Sequence, residues 1–142
     1  MTIENINECT VLNNGHKMPW LGFGVYQLND GEEVQKAINK AFEAGYRSID
    51  TATVYRNEKG VGQAINNSGI PRDQIFLTTK VSNDDLRGKR TMAAFEESLE
   101  RLGQDYVDLY LIHWPVEHCY LHAYRDLEKI YHSGRAKAIG LS

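Results

Sequence analysis

Residues 106–141 read YVDLYLIHWPVEHCYLHAYRDLEKIYHSGRAKAIGL. The stretch opens on an apolar run, Tyr106–His113, and closes on another, Ala136–Leu141. Between them Leu121, Tyr124, Leu127, Ile130 and Tyr131 recur at helical spacing. Gly134 follows, where a left-handed C-terminal cap takes glycine. Pro115 falls in the connection. Strand, helix and strand in about 30 residues make a parallel pair joined by a right-handed helical crossover.

The same unit repeats toward the N-terminus. Further strand-like runs are Leu21–Tyr26, Tyr46–Asp50 and Ile75–Val81, so strands begin every 25–31 residues. Val34, Ala37, Ile38, Ala41 and Phe42 form one helical stripe, and Met92, Phe95, Leu99 and Leu102 another. Asn57–Asn67 reads as a weaker helix, because Gly60 and Gly62 each cost it about 1 kcal/mol relative to alanine. Asp30 and Glu33 predict a capping box for the first helix, and Gly45 and Gly103 close helices as Gly134 does. Thr10–Leu12 and Lys17–Met18 flank Asn13-Asn14-Gly15, a hairpin signal. The pattern is a hairpin, four β-α units and a fifth strand. Residues 1–142 read as one domain with no linker. Periodicity fits two architectures: an open doubly wound sheet, or a stretch of a (β/α)8 barrel.

Composition excludes other classes. Of 142 residues, 42% are hydrophobic and 25% charged, with 12 glycines and 3 prolines, which fits neither a disordered nor a collagen-like chain. The net charge is −3 with both signs interspersed, and no basic stripe points to nucleic acid. No apolar run of about 18 residues is present to span a membrane. The start, MTIENINECT, lacks the pattern of a signal peptide. Cys9 and Cys119 lie far apart, which suits a reducing compartment. The expectation is a cytoplasmic globular protein.

In parallel α/β folds chemistry collects at the C-terminal ends of the strands. There the chain places Asp50, with Tyr55 in the following loop, then Lys80, then His113. Neighbouring strand ends lie about 5 Å apart, so these groups can share one mouth. An ammonium beside a tyrosine favours the phenolate and lowers the phenol's pKa from about 10, which suits a general acid. A histidine nearby can hydrogen-bond a carbonyl oxygen. The set suits protonation of an oxyanion as hydride reaches carbon. Taken singly, each residue also has an ordinary role: Asp50 as a helix cap, Lys80 as a solvated strand end, Tyr55 as packing, His113 as a structural histidine. Their joint placement favours the chemical reading.

At these residues the chain resembles the aldo-keto reductases. The resemblance covers essentially the whole chain: LGFGVYQ at Leu21–Gln27, GYRSIDTATVYRNE at Gly45–Glu58, TKV at Thr79–Val81, DYVDLYLIHWPV at Asp105–Val116 and GRAKAIGLS at Gly134–Ser142. The most specific element is Asp50-Thr-Ala-x-x-Tyr55-x-Asn57-Glu58. Among subgroups, the chain is similar to bacterial glyoxal/methylglyoxal and diketo-gluconate reductases.

The resemblance implies a (β/α)8 TIM barrel, of which this chain supplies about the first half: the N-terminal hairpin, five parallel strands and four helices. It implies NADPH-dependent reduction of aldehydes and ketones. Tyr55 is then the general acid, Lys80 lowers its pKa, Asp50 pairs with Lys80, and His113 orients the substrate carbonyl. Gly24, Val25 and Asp50 match positions lining the nicotinamide ribose, and Ser142 matches a serine that holds the carboxamide. Tyr26 and Trp114 match aromatic walls of the substrate pocket, with Val54 beside them. Gly22-x-Gly24 lacks the third glycine of a dinucleotide fingerprint, since Gln27 stands there.

Two features depart from the family pattern. The family continues beyond Ser142 with three more strands and the loops that grip pyrophosphate and adenosine. The family is usually monomeric, but this chain alone is expected to be poorly stable, to self-associate and to have little activity. The second departure is Glu117–His122, where His118 and His122 flank Cys119 at helical spacing. A solvated loop is the expected reading there, with no metal site. Two other functions stay in play: a truncated, inactive reductase remnant that keeps the site residues, and an aldolase-like lyase that uses Lys80 as a Schiff-base lysine, against which the Asp50–Tyr55–Lys80–His113 set argues.

Overall fold

Among residues 5–142, which the computed structural model describes, every apolar run contains a strand. Residues 1–4 of the leader reading lie outside the described residues. β1 (Cys9–Val11) and β2 (Lys17–Pro19) form the antiparallel hairpin. Then come β3 (Phe23–Gly24), α1 (Glu32–Glu43), β4 (Ser48–Asp50), α2 (Glu58–Asn67), β5 (Phe76–Val81), α3 (Asn83–Arg87), α4 (Thr91–Leu102), β6 (Val107–Ile112), α5 (Tyr120–His132) and β7 (Ala136–Leu141).

The five later strands make one parallel sheet in the order β3-β4-β5-β6-β7. A doubly wound sheet reverses its strand order at a switch point. This one never reverses, so right-handed crossovers put all its helices on one face. α1 packs on α2, α2 on α4, and α4 on α5. The sheet is therefore an arc of a (β/α)8 barrel.

Register sorts the side chains. Thr79 pairs with Tyr110 and Val81 with Ile112 on the helix face, where the Phe95 ring of α4 lies 4.7 Å from that of Tyr110. Ile49, Leu77, Val81, Tyr110 and Ile112 are fully buried, with Val34, Ile38, Leu102, Leu127 and Ile130 packed from the helices. Each such side chain contributes about 1.5–3 kcal/mol. Asp50, Thr78, Lys80, Leu109, Leu111 and Gly140 alternate onto the concave face. Leu109 and Leu111 remain half-buried there.

Gly45, Gly103 and Gly134 take positive φ, as their positions after helices predict. Other details differ from expectation. Met92 and Leu121 face outward, and Ala94, Ser98, Ala123 and Asp126 hold the inward positions. Small side chains let α4 and α5 approach the sheet, and a search for large apolar residues overlooks them. β3 is short because the chain turns away after it: the Leu28 N–H donates to the Val25 carbonyl. α3 is too short to show an apolar stripe in the sequence; Ser82 caps it by accepting the Asp85 N–H.

The capping box is also different. Glu33 reaches back to Asn29, while Gly31 occupies the N-cap of α1. Asp30 instead accepts the Gly60 N–H at 2.7 Å and so caps α2. The two glycines that weaken α2 let it pack tightly. A Cβ on Gly60 would lie 2.5 Å from Val34 Cγ1, and one on Gly62 would overlap the Leu102 carbonyl. Gly62→Ala should therefore lower stability by about 3 kcal/mol despite alanine's better helix propensity. Urea unfolding measures it, and an unchanged or raised midpoint would contradict the packing argument.

Candidate active site

β4 ends on Asp50, β5 carries Lys80, and β6 stops one residue before His113. Tyr55 closes a 3-10 turn, Thr53–Tyr55, directly after β4. The buried Lys80 ammonium donates to Asp50 Oδ1 at 2.5 Å and to the Thr51 carbonyl at 2.9 Å. It stands 5.2 Å from the centre of the Tyr55 ring. The Tyr55 ring meets His113 edge-on at 5.7 Å and lies 5.1 Å from Tyr26. His113 stacks on Trp114 at 6.5 Å, with the planes 12° apart. Tyr26, Val54 and Trp114 are exposed, leaving an apolar rim around the acid-base groups. A cavity of about 260 Å³ lined by Cys9, Lys17 and Phe76 lies at the opposite, hairpin end and holds none of these groups.

The mouth differs from expectation in one electrostatic respect. Burial raises the Tyr55 phenol above its ordinary value, and Asp50 and then Tyr26 add to the rise. The expected downward pull from Lys80 does not prevail over these; its ammonium is paired with Asp50 and bonded to the Thr51 carbonyl. The phenol therefore holds its proton across the neutral range.

Burial lowers the pKa of His113 from 6.5, helped by Lys80 and opposed by Asp50. Neutral imidazole is thus the resting form, and its one N–H can donate to a carbonyl oxygen. In the pH window from about 6.5 down to the depressed value, the unfolded chain binds this proton and the folded chain does not. Stability contributed by this group is therefore lost as pH falls through that window. Proton NMR of the imidazole should place its midpoint below 6.5, and a midpoint at or above that value would contradict the geometry.

Of the residues assigned to a cofactor, Gly24 and Asp50 sit side by side at the mouth. A Cβ on Gly24 would meet nothing within 4 Å, so the fold does not itself require glycine there, and the space suits a closely approaching ligand. Ser142 follows β7, and its N–H donates to the Ile112 carbonyl, next to His113. Val25 is different: it is fully buried, its N–H donates to Asp50 O and its carbonyl accepts from Asn57. It lies under the mouth rather than on it.

Sequence reasoning overlooked the layer beneath. Glu58, 2% exposed, accepts from Thr79 Oγ1 at 2.6 Å and from Arg101 Nε at 2.7 Å. Arg101 also donates to Ser98, whose hydroxyl lies 3.3 Å from that of Thr53, the first residue of the Tyr55 turn. Asn57 and Glu58 belong to the specific motif, and that was the available signal. Around the departing segment, His122 Nδ1 is 3.7 Å from Asp126 Oδ2, and the exposed His118 stands beside Glu117. Among the described residues, no three His, Cys, Asp or Glu side chains group as a metal site. No helix among them is long and apolar enough to cross a membrane.

A barrel arc that gathers a tyrosine, a lysine–aspartate pair and a histidine at its strand ends has a counterpart among known proteins. The sequence matches the Aldo/keto reductase family over residues 20–142, and the chain belongs to that family. It is 49% identical over 138 residues to the glyoxal reductase of Bacillus subtilis, covering 97% of this chain and 50% of that protein. An aldo/keto reductase of Brucella melitensis superposes with TM-score 0.90 at 49% identity, covering 94% of this chain and 53% of that one. A Bombyx mori aldo-keto reductase solved in complex with NADP superposes with TM-score 0.84 at 36% identity, covering 94% and 50%. The chain spans about half the length of the curated relatives it matches.

Proposed function

We propose that this chain carries the acid-bearing part of an NADPH-dependent reductase of small aldehydes and ketones. The observation that carries the reading is Tyr55 set between Lys80 and His113 at one mouth. The open space above Gly24, with Asp50 beside it, fits a nicotinamide, and Ser142 stands across the arc at the end of β7. When bound, NADPH supplies the hydride, which no side chain can.

The chain's own residues do the rest. His113 donates its N–H to the carbonyl oxygen and fixes its direction. Tyr55 transfers its proton to that oxygen, completing the alcohol. Lys80 matters when charge develops, since its ammonium stabilises the phenolate left on Tyr55, and Asp50 holds it in place. Solvent then returns a proton to the phenolate. Tyr26, Val54 and Trp114 shelter the substrate's carbon skeleton, and their shape suits a small or aromatic carbonyl compound.

The positions that grip pyrophosphate and adenosine in the family lie beyond those the chain matches. Alone, therefore, the chain binds NADPH weakly, turns over little, and self-associates through the open edges of β3 and β7 and the half-buried Leu109 and Leu111. A cytoplasmic setting suits this chemistry. The test joins residues 1–142 to the C-terminal half of the Bacillus subtilis glyoxal reductase. NADPH oxidation that depends on added methylglyoxal supports the proposal. Its absence in a hybrid that binds NADPH would overturn it. Borohydride added with the carbonyl substrate should leave the chain's mass unchanged.

A further inference from the structure

We infer that Asn57 is a positioning residue for the acid: its buried amide ties the turn carrying Tyr26 to the turn carrying Tyr55 and to the residue that holds Lys80. The inference rests on the reading of Tyr55 as the proton donor.

Asn57 is fully buried. Its Nδ2 donates to the carbonyls of Val25 at 2.9 Å and Leu28 at 3.0 Å, the two ends of the turn that presents Tyr26. Its Oδ1 accepts from Thr51 Oγ1 at 2.7 Å. Thr51 is the residue whose carbonyl accepts from Lys80, and its N–H is anchored on the Thr78 carbonyl of β5. One side chain thus connects the ends of β3, β4 and β5.

Asn57 also stands at the N-cap of α2, where an asparagine ordinarily bonds its own helix. Here it makes no such bond. Asp30 caps the helix from outside, which frees the amide for the loops. Backbone strain at the same place supports the assignment. Gln27 follows Tyr26 with φ 64°, and Arg56 follows Tyr55 with φ 58°. Neither is glycine, and left-handed residues of that kind persist only where their surroundings hold them. The hydrogen bonds of Asn57 bracket Gln27, and Asn57 itself follows Arg56. A clamp at this point sets the Tyr26–Tyr55 and Tyr55–His113 ring contacts.

The test uses the hybrid barrel, residues 1–142 joined to the C-terminal half of the Bacillus subtilis glyoxal reductase, with labelled tyrosine and histidine, read by NMR. In Asn57→Ala, the cross-peak between the Tyr55 and His113 rings should disappear. With burial relaxed, the Tyr55 midpoint should fall toward about 10 and that of His113 rise toward about 6.5. The groups facing them, Asp50, Lys80 and Tyr26, are unchanged in the variant. Amide signals of β6, α5 and β7 should stay in place, which general loosening would not allow. Thr51→Val, which removes a single hydrogen bond at nearly constant shape, should shift both midpoints in the same directions by less. If Asn57→Ala fails to fold, Thr51→Val decides. Wild-type ring contacts and midpoints in every folded variant would overturn the inference. Neither readout uses turnover, so the result is independent of whether Tyr55 proves to be the acid.

Discussion

Replacing Tyr55 by phenylalanine lowers kcat of the completed hybrid barrel by about 10²–10⁴-fold, the range for loss of a positioned general acid. The substitution removes one hydroxyl and little else. The ring keeps its contacts with Tyr26 and His113, so the shape of the rim is preserved. With His113 and the aromatic walls proposed to bind the carbonyl compound, KM should change far less than kcat. Steady-state NADPH oxidation with methylglyoxal separates the two. A fall in kcat of less than tenfold would mean that the proton comes from elsewhere.

Replacing Arg101 by alanine should destabilise the chain by about 3 kcal/mol, near the lower end for breaking a buried ion pair. Glu58 has 1% of its side chain exposed, and Arg101 has 40%. The variant leaves the carboxylate buried, with Thr79 Oγ1 as its remaining partner. Water reaching the former arginine site relieves part of the cost. Glu58→Gln removes the charge instead of stranding it and should cost clearly less. Urea unfolding of the two variants compares them directly. Equal losses would show that the pair acts only through its hydrogen bonds, not its charge. Because Arg101 also bonds Ser98, and Ser98 lies against Thr53, this pair supports the Tyr55 turn from below.

The strands and the mouth were legible because they depend on short-range patterns. Apolar runs end on Asp50, Lys80 and His113 at matching points of a regular repeat, and the parallel register brings those points together. What periodicity left open, the strand order decides, since the unreversed order excludes a doubly wound sheet. Other features needed three dimensions. Asp30 and Glu33 have the spacing of a capping box, yet Asp30 serves a different helix because α1 and α2 pack closely at Gly60. Gly60 and Gly62 look like weaknesses of α2 until the Leu102 carbonyl is seen against it. The direction of the Tyr55 shift depends on burial and on the nearness of Asp50 and Tyr26, and neither is written in residue types. Asn57 sits at a helix start, and only the fold shows that its amide turns away from that helix.

In the proposed reaction, this chain's own mouth protonates a carbonyl oxygen as hydride arrives from NADPH. The decisive measurement gives the hybrid barrel methylglyoxal and NADPH deuterated at the transferring carbon and locates the deuterium in the product. The expected product is an alcohol with one deuterium on the new carbinol carbon, formed with the hybrid and nearly absent with its Tyr55→Phe variant. Product without deuterium, or equal product from the variant, would contradict that reaction.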